Sequence, residues 1–480
     1  MLLDPDACYA ALLAHDARFD GRLYVGVRST GVYCRPVCRV RTPKPGNCRF
    51  FSSAAQAESH GFRPCLRCRP ELAPGRAGID AGSRLAQAAA RLIEAGGLDR
   101  AGVEAVAARV GTSSRHLRRV FKAEFGVTAL EYAQTQRLLL AKRLLTDTAL
   151  SATEIAAASG FGSLRRFNAA FRERYRLSPT QLRSHAGARP AATMRFRLAY
   201  RPPCDWKRSL TFLAARAVER VEFAGGDAYC RTVRWQAGAQ ELRGWLAVRP
   251  LPSRALLEVE LSASLAPAIP PVLQRVRDLF DLDCEPAQLQ RVLPAHPPGS
   301  APMRLIGSFD GFELAVRGIV GQQVSVKAAR TVIARLAERY GDPLDGAAPA
   351  GLARLFPTPQ TVAGLEVAAI AGLGIQGRRA EAIRTLARAL AEGRLALEPR
   401  APVDETMAAL RSIPGIGDWT AQYIAMRALC WPDAFPAGDL AVLRALDART
   451  PAQARERARQ WQPWRAYVVM DLWASMGANT

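Results

Sequence analysis

The spacing of hydrophobic and polar positions changes along this chain of 480 residues. Residues 1–77 mix short alternating runs such as RLYVGV and NCRFF with turn-forming sequence, which predicts a small α/β domain. Apolar residues then recur every three or four positions over 80–186, which predicts a helical domain. Strict alternation in MRFRLAY and ALLEVELSAS predicts antiparallel strands over 194–268. Helical spacing returns over 269–480, and we expect the largest core there.

The segment 187–193 is rich in small residues and contains a proline, so we expect a linker before the strands. The hydrophobic content of 49% is sufficient for several buried cores. The patterns together predict a multidomain, mainly α protein with α+β parts. In order, we expect a small α/β domain, a helical domain, an antiparallel-sheet subdomain and an all-α domain.

Charge narrows the class of partner. The chain has 66 basic and 43 acidic residues, a net charge of +23, and a pI near 10.4. Such an excess indicates a polyanionic partner, and nucleic acid is the first candidate. We expect no membrane partner, because no uncharged apolar run is long enough to span a bilayer and no basic helix has a bulky apolar face. The N-terminus does not resemble a signal peptide, so we expect a cytoplasmic protein.

Four of the ten cysteines have the spacing of metal ligands. They occur as CRPVC and CLRC, at Cys34, Cys38, Cys65 and Cys68, and predict one zinc ion bound by four thiolates. Such a site carries a net charge of about −2 and lies here in arginine-rich sequence. It is therefore either a structural support or a nucleophile. The other six cysteines lack ligand spacing and are interpreted as ordinary thiols.

Two segments of the helical stretch have the pattern of a helix-turn-helix. In the first, Gly111 marks the turn and Ser113 or Ser114 caps a basic helix; in the second, the GFGS turn precedes a helix from Ser163. Both spacings fit a recognition helix in a major groove. A solvated arginine-rich face is the alternative for either helix alone. The candidate DNA contacts are Arg115, Arg118, Arg119, Arg165, Arg166 and Asn168.

A different DNA-binding motif lies near the C-terminus. The string LRSIPGIGDWTAQYIAMRAL predicts a helix-hairpin-helix, in which Gly415 and Gly417 let backbone N–H groups approach a DNA phosphate. By itself this motif indicates only sequence-independent DNA binding. Asp439 follows in AFPAGDLAVLRAL. It is either a functional loop carboxylate or the N-cap of the next helix.

The cysteine and helix-turn-helix motifs resemble known families. RSTGVYCRPVCRVR and GFRPCLRCRP resemble the N-terminal domain of Ada adaptive-response proteins, and GFGSLRRFNAAFRERYRLSPTQLR is similar to AraC-type DNA-binding domains. The first resemblance implies that Cys34 accepts a methyl group from a DNA methylphosphotriester while Cys38, Cys65 and Cys68 hold the zinc. A soft thiolate suits a methyl carbon, and the thioether product does not turn over. We hypothesise that losing about one negative charge raises the affinity for DNA.

The C-terminal part resembles the AlkA-type 3-methyladenine DNA glycosylases of the helix-hairpin-helix superfamily. The similar segments include GSFDGFELAVRGIVGQQVSVKAA, IPGIGDWTAQY and FPAGDLAV. The resemblance implies that Asp439 is the catalytic carboxylate and that Trp419, Tyr423 and Trp473 receive a flipped, cationic base. Core packing is the alternative role for these aromatic residues. Gln323 stands at the position of the wedge that fills the gap in the duplex, where the family has an apolar residue.

Missing motifs refine the expected activity. Lyase relatives have a Schiff-base lysine where this chain has Trp419, so we expect monofunctional hydrolysis, the activity of DNA-3-methyladenine glycosylase II. The cysteine cluster of iron–sulfur relatives is missing from the sequence, as is the PCHR motif of O6-alkylguanine transferases.

The function expected from these motifs is a bacterial response to DNA alkylation. We expect a nucleoid-associated transcription activator that binds double-stranded operator DNA and RNA polymerase, and that excises 3-methyladenine and 7-methylguanine from alkylated DNA. Two alternatives stay open at this point. One is a regulator whose C-terminal half binds DNA without catalysis, and the other is a glycosylase with a purely structural zinc site.

Overall fold

The structure is a computed structural model that describes most of the chain. Within the described ranges, no helix is long and apolar enough to cross a membrane. The predicted linker at 187–193 lies outside these ranges except for Thr193. The described residues are 4–74, 81–96, 98, 102–148, 150–184, 193–237, 240–293, 302–399 and 401–477.

The described chain forms two compact units. The first comprises the chain up to Pro202, Leu251–Gln274 and Leu282–Glu285. The second comprises Pro203–Pro250, Arg275–Asp281 and the chain from Pro286 onward. The cysteine quartet and both helix-turn-helix segments therefore lie in the first unit. The hairpin and Asp439 lie in the second.

The N-terminal part is built on a four-stranded sheet with the strand order β3-β1-β2-β4. β1 is antiparallel to both β2 and β3, whereas β2 and β4 run parallel. Gly26 of β1 allows two aromatic rings to approach, because a Cβ at this position would lie 2.8 Å from Phe51 and 2.9 Å from Phe62. The elements are α1 (Pro5–Leu13), β1 (Tyr24–Val27), β2 (Val32–Cys34), β3 (Cys48–Phe51), α2 (Ala54–Ser59) and β4 (Arg63–Pro64).

Helices follow, and their starts are fixed by caps. The hydroxyls of Ser113 and Ser163 accept the backbone N–H groups of His116 and Arg166 at the starts of α5 and α8. Thr128 and Glu131 form a capping box at the start of the longer α6. The helices are α3 (Ala81–Glu94), α4 (Gly102–Arg109), α5 (Ser114–Phe125), α6 (Ala129–Asp147), α7 (Ala152–Ala158), α8 (Leu164–Tyr175) and α9 (Pro179–Ser184).

The predicted antiparallel strands are confirmed, but the region also contains a helix, α10, that the alternating pattern did not predict. Asp205 caps α10 by accepting the N–H of Arg208. β5 pairs with β9 in the first unit, and β6, β7 and β8 form an antiparallel meander in the second. The elements are β5 (Thr193–Ala199), α10 (Trp206–Ala214), β6 (Glu222–Gly225), β7 (Ala228–Ala237), β8 (Gln240–Leu251) and β9 (Leu256–Ser262).

The C-terminal part of the chain is helical, as predicted. Its most buried helix is α13, in which nine of the ten residues are buried. The helices are α11 (Ile269–Leu279), α12 (Pro286–Val292), α13 (Gly311–Val320), α14 (Val326–Tyr340), α15 (Pro359–Ala363), α16 (Val367–Ala371), α17 (Gly377–Ala391), α18 (Val403–Arg411), α19 (Asp418–Arg427), α20 (Leu440–Ala445), α21 (Pro451–Arg457) and α22 (Arg465–Gly477).

Candidate functional site

The four cysteines predicted as metal ligands come together at the pairing of β2 with β4. Cys34 ends β2 and Cys65 directly follows β4, so the parallel pairing of the two strands brings the two cysteine pairs together. All four sulfur atoms lie within 4.8 Å of one another. A tetrahedral zinc ion with Zn–S bonds of about 2.3 Å needs sulfurs about 3.8 Å apart. The quartet therefore has the donor set and spacing of a zinc site.

Backbone N–H groups stabilise two of the four sulfurs. The N–H of Arg35 donates to the Cys68 sulfur at 3.4 Å, and that of Arg67 donates to the Cys65 sulfur at 3.4 Å. The buried Arg35 side chain also donates to the Cys68 carbonyl at 3.2 Å and to Asp20 at 2.8 Å. The sequence analysis missed this buried ion pair, since nothing in CRPVC indicates a partner fifteen residues upstream.

As free thiols, the four groups would compete for protons. Hydrogen bonding to Cys38 and Cys65 raises the pKa of Cys34 above its ordinary value. Hydrogen bonding to Cys34 and Cys38 lowers the pKa of Cys65. A bound divalent cation resolves this conflict, because each sulfur that it binds is a thiolate.

A buried carboxyl connects the strand of the proposed nucleophile with the helical domain. Tyr33 precedes Cys34, and its hydroxyl donates to Glu58 of α2 at 3.0 Å. Glu58 also accepts a hydrogen bond from Thr135 of α6 at 3.3 Å and lies 3.7 Å from the guanidinium of Arg174 on α8. Burial raises the pKa of Glu58 to about 7. The Glu58 side chain thus links Tyr33 in the cysteine domain with α6 and α8 of the helical domain.

The predicted recognition helices are α5 and α8, and the arginines singled out on them are exposed. Arg118 pairs with Glu104 of α4 at 2.9 Å, and Arg119 donates to the ring of His116 at 3.2 Å. Asn168 is half-buried. The two helices therefore present basic side chains to solvent, and their contact with DNA stays a prediction.

The predicted hairpin connects α18 and α19, and its two glycines differ. Gly415 has φ +94°, and a Cβ there would lie 3.0 Å from that of Ala382 on α17, so conformation and packing require glycine. A Cβ on Gly417 would meet nothing within 4 Å. Only Gly417 leaves open space beside the backbone. The phosphate argument alone did not predict the packing role of Gly415.

The Asp439 carboxylate is held by neutral donors on both oxygens. The indole of Trp419 donates to Oδ2 at 2.9 Å, and that of Trp473 donates to Oδ1 at 3.1 Å. Oδ1 also accepts the N–H groups of Ala441 and Val442, which makes Asp439 the N-cap of α20. Among the described residues, no arginine or lysine forms an ion pair with it. The predicted N-cap is therefore observed, and a functional role of the same carboxylate stays a prediction.

The three aromatic residues predicted to form the base pocket contact one another. Trp419 and Tyr423 stack with ring centroids 5.5 Å apart and planes 7° from parallel. Trp473 lies 6.0 Å from Tyr423 at an angle of 45°. The buried Arg427 donates to the Tyr423 hydroxyl at 3.2 Å. The stack is adjacent to Asp439, because two of its rings bond to that carboxylate.

The residue at the predicted wedge position lies on the connection between α13 and α14. Gln323 is exposed and has φ +55°, an uncommon left-handed conformation for a residue with a side chain. Its neighbour Gln322 donates to the carbonyl of Gly415 at 2.9 Å and to the hydroxyl of Thr420 at 2.8 Å. Sequence reasoning singled out Gln323 and missed Gln322. The pair in GQQVS was the only available signal.

Comparison with known proteins assigns the chain to a family. Four family models match consecutive parts of it. They are described as Metal binding domain of Ada (7–71), Helix-turn-helix domain (106–185), AlkA N-terminal domain (195–304) and HhH-GPD superfamily base excision DNA repair protein (316–462).

A Mycobacterium tuberculosis protein described as a probable bifunctional transcriptional activator/DNA repair enzyme AlkA is 38% identical, over 98% of this chain and 97% of its own length. The chain belongs to this AlkA-type bifunctional family. Escherichia coli DNA-3-methyladenine glycosylase 2 is 38% identical over 59% of the chain and 98% of its own length. The E. coli bifunctional transcriptional activator/DNA repair enzyme Ada is 38% identical over 28% of the chain and 37% of its own length. The predicted family resemblances and the multidomain, mainly α fold of this AlkA-type protein are confirmed.

Proposed function

We propose that this AlkA-type protein responds to DNA alkylation in three ways. It accepts a methyl group from DNA methylphosphotriesters at Cys34, regulates transcription from an operator, and excises alkylated purines by hydrolysis. The observation that carries the excision role is the carboxylate of Asp439, held by the indoles of Trp419 and Trp473 beside an aromatic stack.

The methyl transfer is a single displacement at carbon. The Cys34 thiolate attacks the methyl group, a C–S bond forms, the C–O bond breaks, and the phosphodiester leaves as an anion. No described N–H group donates to the sulfur of Cys34 or of Cys38, whereas the sulfurs of Cys65 and Cys68 accept backbone N–H groups. The family resemblance selects Cys34 from the first two. One zinc ion held by the quartet would keep the sulfurs deprotonated at neutral pH. The thioether is stable, so each molecule reacts once.

The methylated protein then acts as a regulator. Methylation removes about one negative charge from a cluster that faces DNA phosphates, which raises the affinity for DNA. The exposed arginines of α5 and α8, with Asn168, contact the operator. As an activator in the bacterial cytoplasm, bound to the nucleoid, the protein would contact RNA polymerase.

Excision begins when the damaged nucleotide leaves the stack and Gln323 enters the gap. The bond between C1′ and the base nitrogen breaks, and the electron pair neutralises the cationic alkylated base as it departs. Asp439 stabilises the positive charge that develops on the sugar, and water adds its hydroxyl at C1′ while Asp439 accepts the proton that the water loses. The faces of Trp419, Tyr423 and Trp473 favour a cationic base.

Two product analyses test these roles. Methylated duplex DNA incubated with the full chain should release free 3-methyladenine and 7-methylguanine and leave abasic sites without strand breaks, since Trp419 replaces a lyase lysine. Mass spectrometry should find one added methyl group on Cys34 after exposure to DNA carrying methylphosphotriesters. Release of no base would favour a regulator with an inactive C-terminal half. An unmodified Cys34 would favour a structural zinc site.

A further inference from the structure

The connection between α13 and α14, residues 321–325, is here named the wedge loop. Its two ends continue the flanking helices, since the Gly321 N–H donates to Arg317 at 2.9 Å and the Ser325 carbonyl accepts from Ala329 at 3.0 Å. Between them the backbone hydrogen bonds are long, at 3.4 Å from the Gln322 N–H to Ile319 and 3.5 Å from the Val324 N–H to Gly321. The Gln322 side chain donates the hydrogen bonds that link this loop to the hairpin. Among the described hydrogen bonds, the middle of the wedge loop is therefore held to the hairpin by one amide group.

The Gln322 amide uses both of its hydrogens on the hairpin. One bonds to the carbonyl of Gly415 at 2.9 Å and the other to the hydroxyl of Thr420 at 2.8 Å. Thr420 is buried, with 2% of its surface exposed. It directly follows Trp419, whose indole donates to Asp439. Two consecutive residues in the first turn of α19 thus hold the wedge loop and the carboxylate.

We propose that Gln322 is a positioning residue that fixes the wedge loop relative to the Asp439 carboxylate, so that insertion of Gln323 and presentation of C1′ are coupled. This inference rests on the proposed roles of Asp439 and Gln323. Gln322 itself touches neither the base nor the sugar. It acts through Thr420 and the hairpin.

The rate of excision should depend on the position of the wedge loop relative to the Asp439 carboxylate. A displacement of about 1 Å between reacting groups can slow a reaction roughly 10²-fold. Gln323 is in a left-handed conformation that is uncommon for a residue with a side chain. Losing the Gln322 amide should let the wedge loop move away from the hairpin while Asp439 stays in place.

Base flipping can be measured separately from chemistry in the full chain. A duplex with 2-aminopurine next to a methylated purine reports flipping by fluorescence, and single-turnover release reports excision. Gln322→Leu should slow flipping and excision together by about 3- to 10-fold, the range of one or two net hydrogen bonds. Its affinity for undamaged duplex should change less than about twofold, since no phosphate contact is lost.

Variants of Thr420 keep the test meaningful if Gln322→Leu folds poorly. Thr420→Val is nearly isosteric and removes only the acceptor, so it should slow flipping by about 3-fold. Thr420→Ser should restore the parent rate because it retains the hydroxyl. Thr331→Val is the matched control, because it removes a hydroxyl that bonds to Lys327 within α14. It should leave flipping and excision unchanged.

A double-mutant comparison separates positioning from stability. In a Gln323→Ala background the wedge is gone, so adding Gln322→Leu should slow flipping less than about twofold further. The inference would be overturned if Gln322→Leu slowed flipping as much in the Gln323→Ala background as in the parent. Normal flipping by both Gln322→Leu and Thr420→Val would also overturn it. If the parent flips the base without releasing it, excision as a function fails while the flipping result still decides the role of Gln322.

Discussion

The cysteine quartet and the Asp439 carboxylate are two anionic centres that the chain supports in different ways. Around the quartet, charged groups are buried in pairs, such as Arg35 with Asp20 and Lys142 with Glu71, both 2% exposed. Asp439 instead receives only indole and backbone N–H groups, among the described residues. Ion pairs thus surround the quartet, whereas neutral N–H dipoles hold the Asp439 carboxylate.

The difference fits the two proposed reactions. A sulfur that reacts once has to be kept ionised before it meets its substrate, and a bound cation with a rigid, charged surrounding does that. A carboxylate that acts in every turnover has to retain its full charge for the cationic sugar, and neutral donors orient it without cancelling that charge. The two centres thus predict different responses to substitution.

The largest expected effect is at the quartet. Cys34→Ala should abolish methyl acceptance, because Cys34 is the proposed nucleophile and the other three cysteines are proposed to act only as zinc ligands. Excision of 3-methyladenine should continue at the parent rate, since Asp439 lies in the other unit. Mass spectrometry of the cysteine peptides measures methyl acceptance, and release of free base measures excision.

The matched control for this substitution is Cys48→Ala, which removes a half-buried cysteine outside the quartet. It should accept methyl groups like the parent. Methylation of Cys38, Cys65 or Cys68 in Cys34→Ala would contradict the assignment of the nucleophile.

At the second centre, Asp439→Asn should slow single-turnover excision by roughly 10²- to 10³-fold, the range for removing one preorganised electrostatic group. Asparagine is as good an N-cap as aspartate, so α20 should persist and the loss should be catalytic. The rate of base release from methylated DNA measures this loss. Asp447→Asn, which changes a fully exposed carboxylate, serves as the control; an equal loss in both variants would contradict the role of Asp439.

The buried Glu58, which accepts a hydrogen bond from Tyr33 next to Cys34, should make the stability of the first unit depend on pH. Because the pKa of Glu58 is raised from 4.5 to about 7, the folded chain holds its proton over a range in which the unfolded chain has lost it. Stability from this carboxyl is therefore complete below pH 4.5 and declines as the pH rises to about 7, by about 3 kcal/mol. Glu58→Gln should remove this decline.

Pulse proteolysis in urea at pH 5 and pH 8, scored by cleavage within α2 and α6, measures the effect of Glu58→Gln. Glu173→Gln changes an exposed carboxylate of α8 and should behave like the parent. A parent whose first unit is equally stable at both pH values would contradict the prediction.

The smallest expected effect is on the orientation of Asp439. Trp473→Phe keeps an aromatic ring against Tyr423 but removes one donor to the carboxylate. Excision should slow by about tenfold, equivalent to about 1.4 kcal/mol. Trp461→Phe, also half-buried but outside the described hydrogen bonds of Asp439, should retain the parent rate. A normal rate in Trp473→Phe would show that one indole is sufficient.

Features encoded by neighbouring residues were predictable from the sequence. The cysteine spacing indicated the quartet, the serines at 113 and 163 indicated the starts of the two basic helices, and the IPGIG turn indicated the hairpin. Each of these signals is complete within a few residues, because caps, turns and ligand pairs are local.

Contacts between distant residues were not predictable in the same way. The bonds of Arg35 to Asp20 and of Gln322 to Thr420 depend on how elements pack, and one sequence contains no record of that packing. The helix α10 was also missed, since its sequence WKRSLTFLA lies inside a region dominated by alternating strands. The assignment of Asp439 needed a family resemblance, because a cap and a catalytic carboxylate have the same local pattern.

The cap formed by Asp439 also bears on how such proteins diverge. A descendant that lost the carboxylate to alanine would lose the helix start too, at a cost of about 1 kcal/mol, and selection for folding alone would oppose it. Asparagine avoids that cost. With the role proposed for Asp439, a homologue with asparagine at this position would be a folded DNA-binding protein with greatly slowed excision, and this single position could separate active from weakened descendants in a sequence survey.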